Sequence, residues 1–153
     1  MANTYSQLFI HYVFAVQNRK CLITSEWETD LFKYINGIIE QQKHKLYIIN
    51  GVPDHIHMLV SMNPTQAPSE FIYNVKRSSS LWINQNKFCN TKFKWQEGFG
   101  SFSVSMSQNK RVINYIERQK QHHKKETFIK EYKKILSAYE VDFNEEFIFH
   151  SVI

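Results

Sequence analysis

The segment His55-Ile56-His57-Met58-Leu59-Val60-Ser61-Met62 constrains this chain more than any other part of it. Side chains alternate between the faces of a strand, so Ile56, Met58, Val60 and Met62 form one apolar face that has to be covered. His55 and His57 then share the opposite face, about 7 Å apart at their Cα atoms on a rise of about 3.3 Å per residue. Two imidazoles on one side at that separation can converge on a single divalent metal. His-X-His also arises by chance on strand surfaces, and alone it decides nothing.

The surroundings of this strand set the fold. Tyr5 to Val16 alternates, with Leu8, Ile10, Tyr12, Phe14 and Val16 on one face and Gln7, Phe9, His11 and Val13 on the other. Thr24 or Ser25 is the expected cap of a helix reaching about Lys43, with Trp27, Leu31, Ile35, Ile38 and Ile39 as its stripe. A strand over Leu46–Asn50 and a tight turn at Gly51-Val52-Pro53-Asp54 lead into the histidine strand, which Pro64 stops. Pro68 opens a second helix to about Asn86, with Phe71, Ile72, Val75, Leu81 and Trp82 facing inward. Short strands are expected at Lys92–Gln96 and Ser101–Ser105 around Glu97-Gly98-Phe99-Gly100, then helices over Ser107–Lys124 and Thr127–Tyr139. The order β-α-β-β-α-β predicts an α+β, ferredoxin-like (RRM-like) split βαβ fold. Its antiparallel sheet would carry helices on one face, with further helices at the C-terminal end. No repeat or long linker divides the chain, so residues 1–153 read as a single domain.

No stretch approaches the ~20 apolar residues of a membrane span, and no membrane role is expected. The two cysteines, Cys21 and Cys89, match no metal or disulfide pattern, which points to a reducing cytoplasm. Nine of the 19 Lys and Arg residues fall between Gln108 and Lys134, against three Glu. Such clustering suits a polyanion binder, and it equally suits a solvated helix surface.

Within that basic segment Val112, Ile113 and Ile116 form a buried stripe, flanked by Tyr115 and Gln119 four residues apart on one helix face. A tyrosine beside an apolar stripe is by itself a core or boundary residue, and a lone helical glutamine is a solvated one. Read in order, three motifs resemble the single-tyrosine HUH transposases (IS200-like transposase family) of the smallest bacterial insertion sequences. They are Asp54-His55-Ile56-His57, Trp95-Gln96-Glu97-Gly98-Phe99-Gly100 with Ser103-Val104, and Tyr115-Ile116-Glu117-Arg118-Gln119-Lys120-Gln121-His122-His123. REP-associated tyrosine transposases are relatives of that family. The likeness begins near His11 and covers nearly the whole chain.

The resemblance implies a DNA transposase that nicks and rejoins single-stranded DNA through a 5′-phosphotyrosine intermediate. Tyr115 would be the nucleophile, and His55, His57 and Gln119 would hold Mg²⁺ or Mn²⁺. That neutral set suits Mg²⁺ poorly and Mn²⁺ better, with substrate phosphate oxygens completing the shell. The partners implied are single-stranded DNA hairpins at mobile-element ends and a second copy of the chain, the Tyr115 helix of one subunit reaching the histidines of the other. A monomer with all four residues in cis is the alternative. Gly98 and Gly100 are either flexible points before that helix or ordinary turn residues. His122 and His123 match the family's His pair in a supporting or DNA-facing role. His11 matches a family histidine, or is simply a satisfied sheet residue.

Lys76, Arg77, Lys92, Lys94, Lys110 and Arg111 are candidate phosphate contacts, and Phe9, Phe99 and Phe102 would stack on unpaired bases if exposed. Three other readings stay open: a domesticated REP-associated enzyme, a non-catalytic RRM-like module and a hydrolytic metal-dependent phosphodiesterase. Binding is expected to prefer single strands or hairpins and to weaken steeply as salt rises, since the basic segment would neutralise phosphates. Electrophoretic shifts across a salt series check this, and a flat response or tighter binding to blunt duplex would contradict it.

Overall fold

The computed structural model describes residues 3–123 and 127–149, with the side chains of His122 and His123 outside the described residues. Its elements are β1 (Phe9–Ala15), α1 (Glu28–Gln41), β2 (Lys45–Val52), β3 (His55–Ser61), α2 (Pro68–Gln85) and β4 (Gly100–Val104). They are followed by α3 (Asn109–Glu117), α4 (Gln119–His123) and α5 (Phe128–Ala138). The sheet order is β2-β3-β1-β4 with antiparallel neighbours throughout. This is the expected split βαβ arrangement, with the first and third strands side by side in the centre.

The period-2 pattern of β1 and β3 divides the molecule into layers. Tyr12, Phe14, Ile56, Met58 and Val60 face α1 and α2 and pack among Leu31, Ile35, Ile39, Phe71, Ile72 and Val75. Each fully buried aliphatic or aromatic side chain of this kind contributes about 1.5–3 kcal/mol. Helix α1 carries Glu28 and Asp30 in its first turn, where acidic groups complement the helix dipole. Neither Thr24 nor Ser25 is its cap. The N-cap is Trp27, which makes no side-chain cap bond, and the Thr24 carbonyl accepts from the backbone of Trp27 and Glu28 instead.

The opposite face of the sheet is covered as well. Val13, Ala15 and Phe102 pack under α5, and Phe9, Leu59 and Val104 under α3. The histidine face of β3 is therefore a second interior and not a solvent surface. Between β2 and β3 the turn is only Pro53-Asp54, and the strands approach closely: a Cβ on Gly51 would lie 2.4 Å from the His55 carbonyl oxygen.

Further expectations are corrected, beginning with Leu81 on α2, which is exposed and does not face inward. Lys92–Gln96 is not a strand; a single bridge joins Val16 to Trp95. Asn84 pins this segment instead, donating to the Phe93 carbonyl and accepting from its amide. The helix expected over Ser107–Lys124 is interrupted at Arg118, whose φ of −93° and ψ of 15° leave the helical region. Cys21 and Cys89 form a disulfide with a Cα separation of 5.4 Å, tying the turn after β1 to the loop after α2. The pairing spans 68 residues and becomes visible only once α1 and α2 lie side by side. With the two cysteines paired, their usage no longer points to a reducing compartment. Among the described residues no helix is long and apolar enough to cross a membrane.

A bridge closing so long a loop typically stabilises by about 2–4 kcal/mol. Cys21→Ser or Cys89→Ser is expected to lower the melting temperature relative to oxidised protein, and added reductant to do the same. Identical melts with and without reductant would show that the bridge contributes nothing.

Candidate active site

The site begins with the alternation of β3. His55 and His57 lie on the α3/α5 side and are almost wholly buried, at 1% and 0% exposure. Asp54, in the turn before β3, places Oδ1 2.7 Å from His55 Nδ1. This contact assigns the His55 tautomer: Nδ1–H donates to the carboxylate and Nε2 faces inward. On β1, His11 sits diagonally across the pair Val13–His57, and its Nε2 is 2.8 Å from His57 Nδ1. Burial, and then the neighbouring His57, push the His11 pKa down to about 3 against a smaller opposing pull from Glu131. A neutral His11 accepts from His57 Nδ1–H, which again leaves Nε2 of His57 turned to the interior.

The group opposite the two Nε2 atoms comes from α5. Thr127 caps this helix, its side chain accepting from the Lys130 amide, and Phe128, Tyr132 and Leu136 form the buried stripe. Glu131 lies in the same stripe, at 4% exposure. Its Oε1 is 3.2 Å from His55 Nε2 and 3.5 Å from His57 Nε2. Its Oε2 accepts hydrogen bonds from the Tyr115 hydroxyl and, at 3.1 Å, from Gln119 Nε2. Gln119 Oε1 is 3.3 Å from His55 Nε2, and the Phe128 ring stacks on the His55 ring with centroids 3.9 Å apart.

The electrostatics follow from these contacts. Burial would raise the Glu131 pKa, but hydrogen bonds to His55, His57 and Tyr115, with the His57 charge, hold it well below the usual carboxylate range. Burial likewise opposes a charge on His55, yet Asp54 and Glu131 outweigh it and the His55 pKa is raised. A carboxylate oxygen, an amide oxygen and imidazole nitrogens thus face one another, an array that needs a proton or a cation between its members. His55, His57 and Glu131 each offer a ligand atom within 4.8 Å of the others, and such a group can hold a metal ion.

Tyr115 is half-buried on α3, its ring centroid 5.8 Å from that of His57 in the same chain. Within the single chain the Tyr115 ring lies beside His57, and its hydroxyl shares Glu131 with both histidines. Gln119 reaches the site but opens α4, so it is not on a continuous helix with Tyr115. Asn50 on β2 explains the break, since its Nδ2 donates to the carbonyls of Ile116 and Glu117 that a continuing helix would have used. Lys120 fastens the start of α4 to Asn50, Gly51 and Glu28.

The basic candidates separate. Lys110 and Arg111 are exposed beside Tyr115, along with Arg118, and they line one cleft. A second cleft between β4, α3 and α5 holds His11, Arg111, Tyr115, Glu131 and Lys134. Lys76 is not on this side: its amine donates to the Gln96 and Gly98 carbonyls, and burial lowers its pKa to about 8 despite the opposing charge of Glu97. Arg77 is exposed on α2, in the opposite layer, and Lys92 and Lys94 border a hollow with Gln17 and Asn18. His11 is buried at the base of this cleft. Phe9 and Phe102 are core residues, which removes them as stacking platforms, and Phe99 packs half-buried against Tyr12. Gly100 is a close-packing position, where a Cβ would lie 2.8 Å from the Tyr132 hydroxyl. The side chains of His122 and His123 lie outside the described residues.

Glu131 is the residue that sequence reasoning missed. Its signal was present: an acid at the centre of the stripe Phe128, Tyr132, Ile135 and Leu136, where a solvated residue has no place.

A four-stranded split βαβ sheet with paired histidines on a central strand and a helical tyrosine held over them has the layout of the single-tyrosine transposases. A family model described as "Transposase IS200 like" matches residues 4–119, and the chain belongs to that family. The ISDra2 transposase TnpA of Deinococcus radiodurans is 25% identical over 118 residues, covering 74% of this chain and 84% of that protein. A crystal structure of a Deinococcus radiodurans R1 protein assigned as a transposase superposes with a TM-score of 0.60 at 20% identity, covering 76% of this chain and 94% of the other. A REP-associated tyrosine transposase bound to a REP hairpin superposes with a TM-score of 0.59 at 13% identity, covering 79% and 72%.

Outer partners that orient metal-binding histidines change metal affinity by about 10–100-fold. His11→Phe is expected to weaken Mn²⁺ binding by that order in isothermal titration, with a melting temperature lowered by the unsatisfied His57 Nδ1–H while the protein stays folded. Unchanged affinity would reduce His11 to a space-filling role.

Proposed function

We propose that this chain nicks and rejoins single-stranded DNA in the cytoplasm, with Tyr115 attacking the scissile phosphate. The observation that supports this reading is the meeting of the Tyr115 hydroxyl and the two inward histidine nitrogens on one buried carboxylate, at the floor of a basic cleft. In the cut, Tyr115 Oη bonds to phosphorus, the phosphorus–O3′ bond breaks, and the tyrosine is left on the 5′ phosphate. That polarity is the one the family resemblance implies. The phenol proton lies on the hydrogen bond to Glu131 Oε2, the group positioned to receive it. The covalent intermediate conserves the bond for rejoining by a 3′ hydroxyl.

The donor set suits the divalent ion that the family implies. His55 and His57 turn their Nε2 atoms into the site, where a bound ion would replace any proton they carry, and Gln119 presents an amide oxygen beside them. Mg²⁺ or Mn²⁺ held there would supply charge stabilisation at the scissile phosphate and the departing 3′ oxygen. Arg111 and Lys134 flank the cleft, where they would bind backbone phosphates on either side of the cut. DNA hairpins are the substrate favoured here, since a structural relative holds one.

The placement of Tyr115 against its own histidines favours a site completed in cis, so a homodimer would join two complete sites. Tyr115→Phe is expected to lower covalent adduct formation by about three orders of magnitude or more while hairpin binding persists. Mixing it with a His55→Ala, His57→Ala protein, after verified subunit exchange, should restore no nicking. Adduct formation by the Phe protein would remove Tyr115 as nucleophile, and recovery on mixing would replace the cis site by a shared one.

A further inference from the structure

Glu131 on α5 lies beyond the residues 4–119 that the family model matches, yet it holds the centre of the site. We propose that Glu131 is an anionic ligand of the metal and, through its second oxygen, the residue that positions Tyr115. The proposal rests on the metal-dependent reading above.

Three observations carry it. The first is spacing. For ligand bonds of about 2.1 Å, neighbouring donors lie about 3.0 Å apart around an octahedral ion and about 3.4 Å apart around a tetrahedral one. Oε1 of Glu131 stands 3.2 Å from His55 Nε2 and 3.5 Å from His57 Nε2, and Gln119 Oε1 stands 3.3 Å from His55 Nε2. These separations accommodate one ion, and the ligand atoms of His55, His57 and Glu131 all lie within 4.8 Å of one another. The second is direction. Asp54 and His11 each engage an Nδ1 atom, so both histidines turn Nε2 toward the carboxylate. The third is the division of labour on Glu131 itself. Oε2 is taken by two donors, Tyr115 Oη and Gln119 Nε2, which fixes the plane of the carboxylate and leaves Oε1 aimed at the imidazoles.

The consequence is a site of different charge from the neutral His-His-Gln set. A carboxylate adds a hard, negative oxygen, which favours Mg²⁺ and Mn²⁺ over softer competitors. It also couples two events: the side chain that grips the ion grips the nucleophile, so ordering one orders the other.

The test measures Mn²⁺ binding to the full chain without DNA, by the loss of the free-ion electron paramagnetic resonance signal. Glu131→Gln keeps the shape and removes the charge, and is expected to weaken Mn²⁺ at least about tenfold. Gln119→Ala is expected to weaken it less than Glu131→Gln does, and Glu131→Asp to fall between wild type and Glu131→Gln. Circular dichroism melts establish that each variant is folded, and Glu131→Asp carries the comparison if Glu131→Gln does not fold. Affinity within twofold of wild type in Glu131→Gln, or tighter, overturns the proposal; tightening would mean that the carboxylate occupies the metal's place. The His55→Ala, His57→Ala protein separates the two levels of the argument. If it retains wild-type Mn²⁺ affinity, the metal reading itself fails. If it loses Mn²⁺ while Glu131→Gln does not, only the role of Glu131 falls.

Discussion

The antiparallel pairing of β1 with β3 is the constraint on which the rest of the molecule depends. It sets Val13 opposite His57 and Ala15 opposite His55, and so places His11 diagonally beside His57. One register fixes both interiors, because a slip by one residue would exchange every inward and outward side chain. The apolar set would then face the clefts, and the histidines would be driven among Leu31, Ile35 and Phe71. The hydrophobic layer under α1 and α2 therefore holds the imidazoles in place without touching them.

On the other side the sheet solves a harder problem, the burial of several polar groups at once. Isolated, each would cost several kcal/mol. Here they are arranged so that each engages another: Asp54 with His55, His11 with His57, Glu131 with Tyr115 and Gln119. Removing one member leaves its neighbours unsatisfied, so such a network resists piecemeal change. Phe128 stacked on His55 and Ile116 on the inner side of α3 cover its inner members, while Tyr115 and Glu131 border the cleft.

Much of this was legible in the sequence, and the boundary between the legible and the hidden has a physical cause. Strand alternation is local, so the faces of Tyr12, Phe14, Ile56 and Met58 could be read directly, as could the order of elements. The histidine pair and Tyr115 were legible because short motifs carried them. What stayed hidden depended on distant partners. The helix break at Arg118 has no Gly or Pro to announce it; it is made by Asn50, 66 positions before Ile116. Lys76 reads as a phosphate contact until the Gln96–Gly98 loop folds across it. Cys21 and Cys89 pair because two helices pack. Glu131 was passed over because a charged residue on a helix is ordinarily a surface one, and only the docking of α5 shows the surface it meets.

The position of α5 also gives the chain a chronology. The histidines, the tyrosine and the glutamine all precede Lys124 in the sequence, and Glu131 follows it. In sequence order the sheet and the tyrosine helix come first, and α5 brings the carboxylate against them afterwards. Without α5 over β1, Tyr115 lacks the Glu131 acceptor and His55 lacks the Phe128 ring stacked on it. The groups of the site are therefore joined into one network only by the docking of α5.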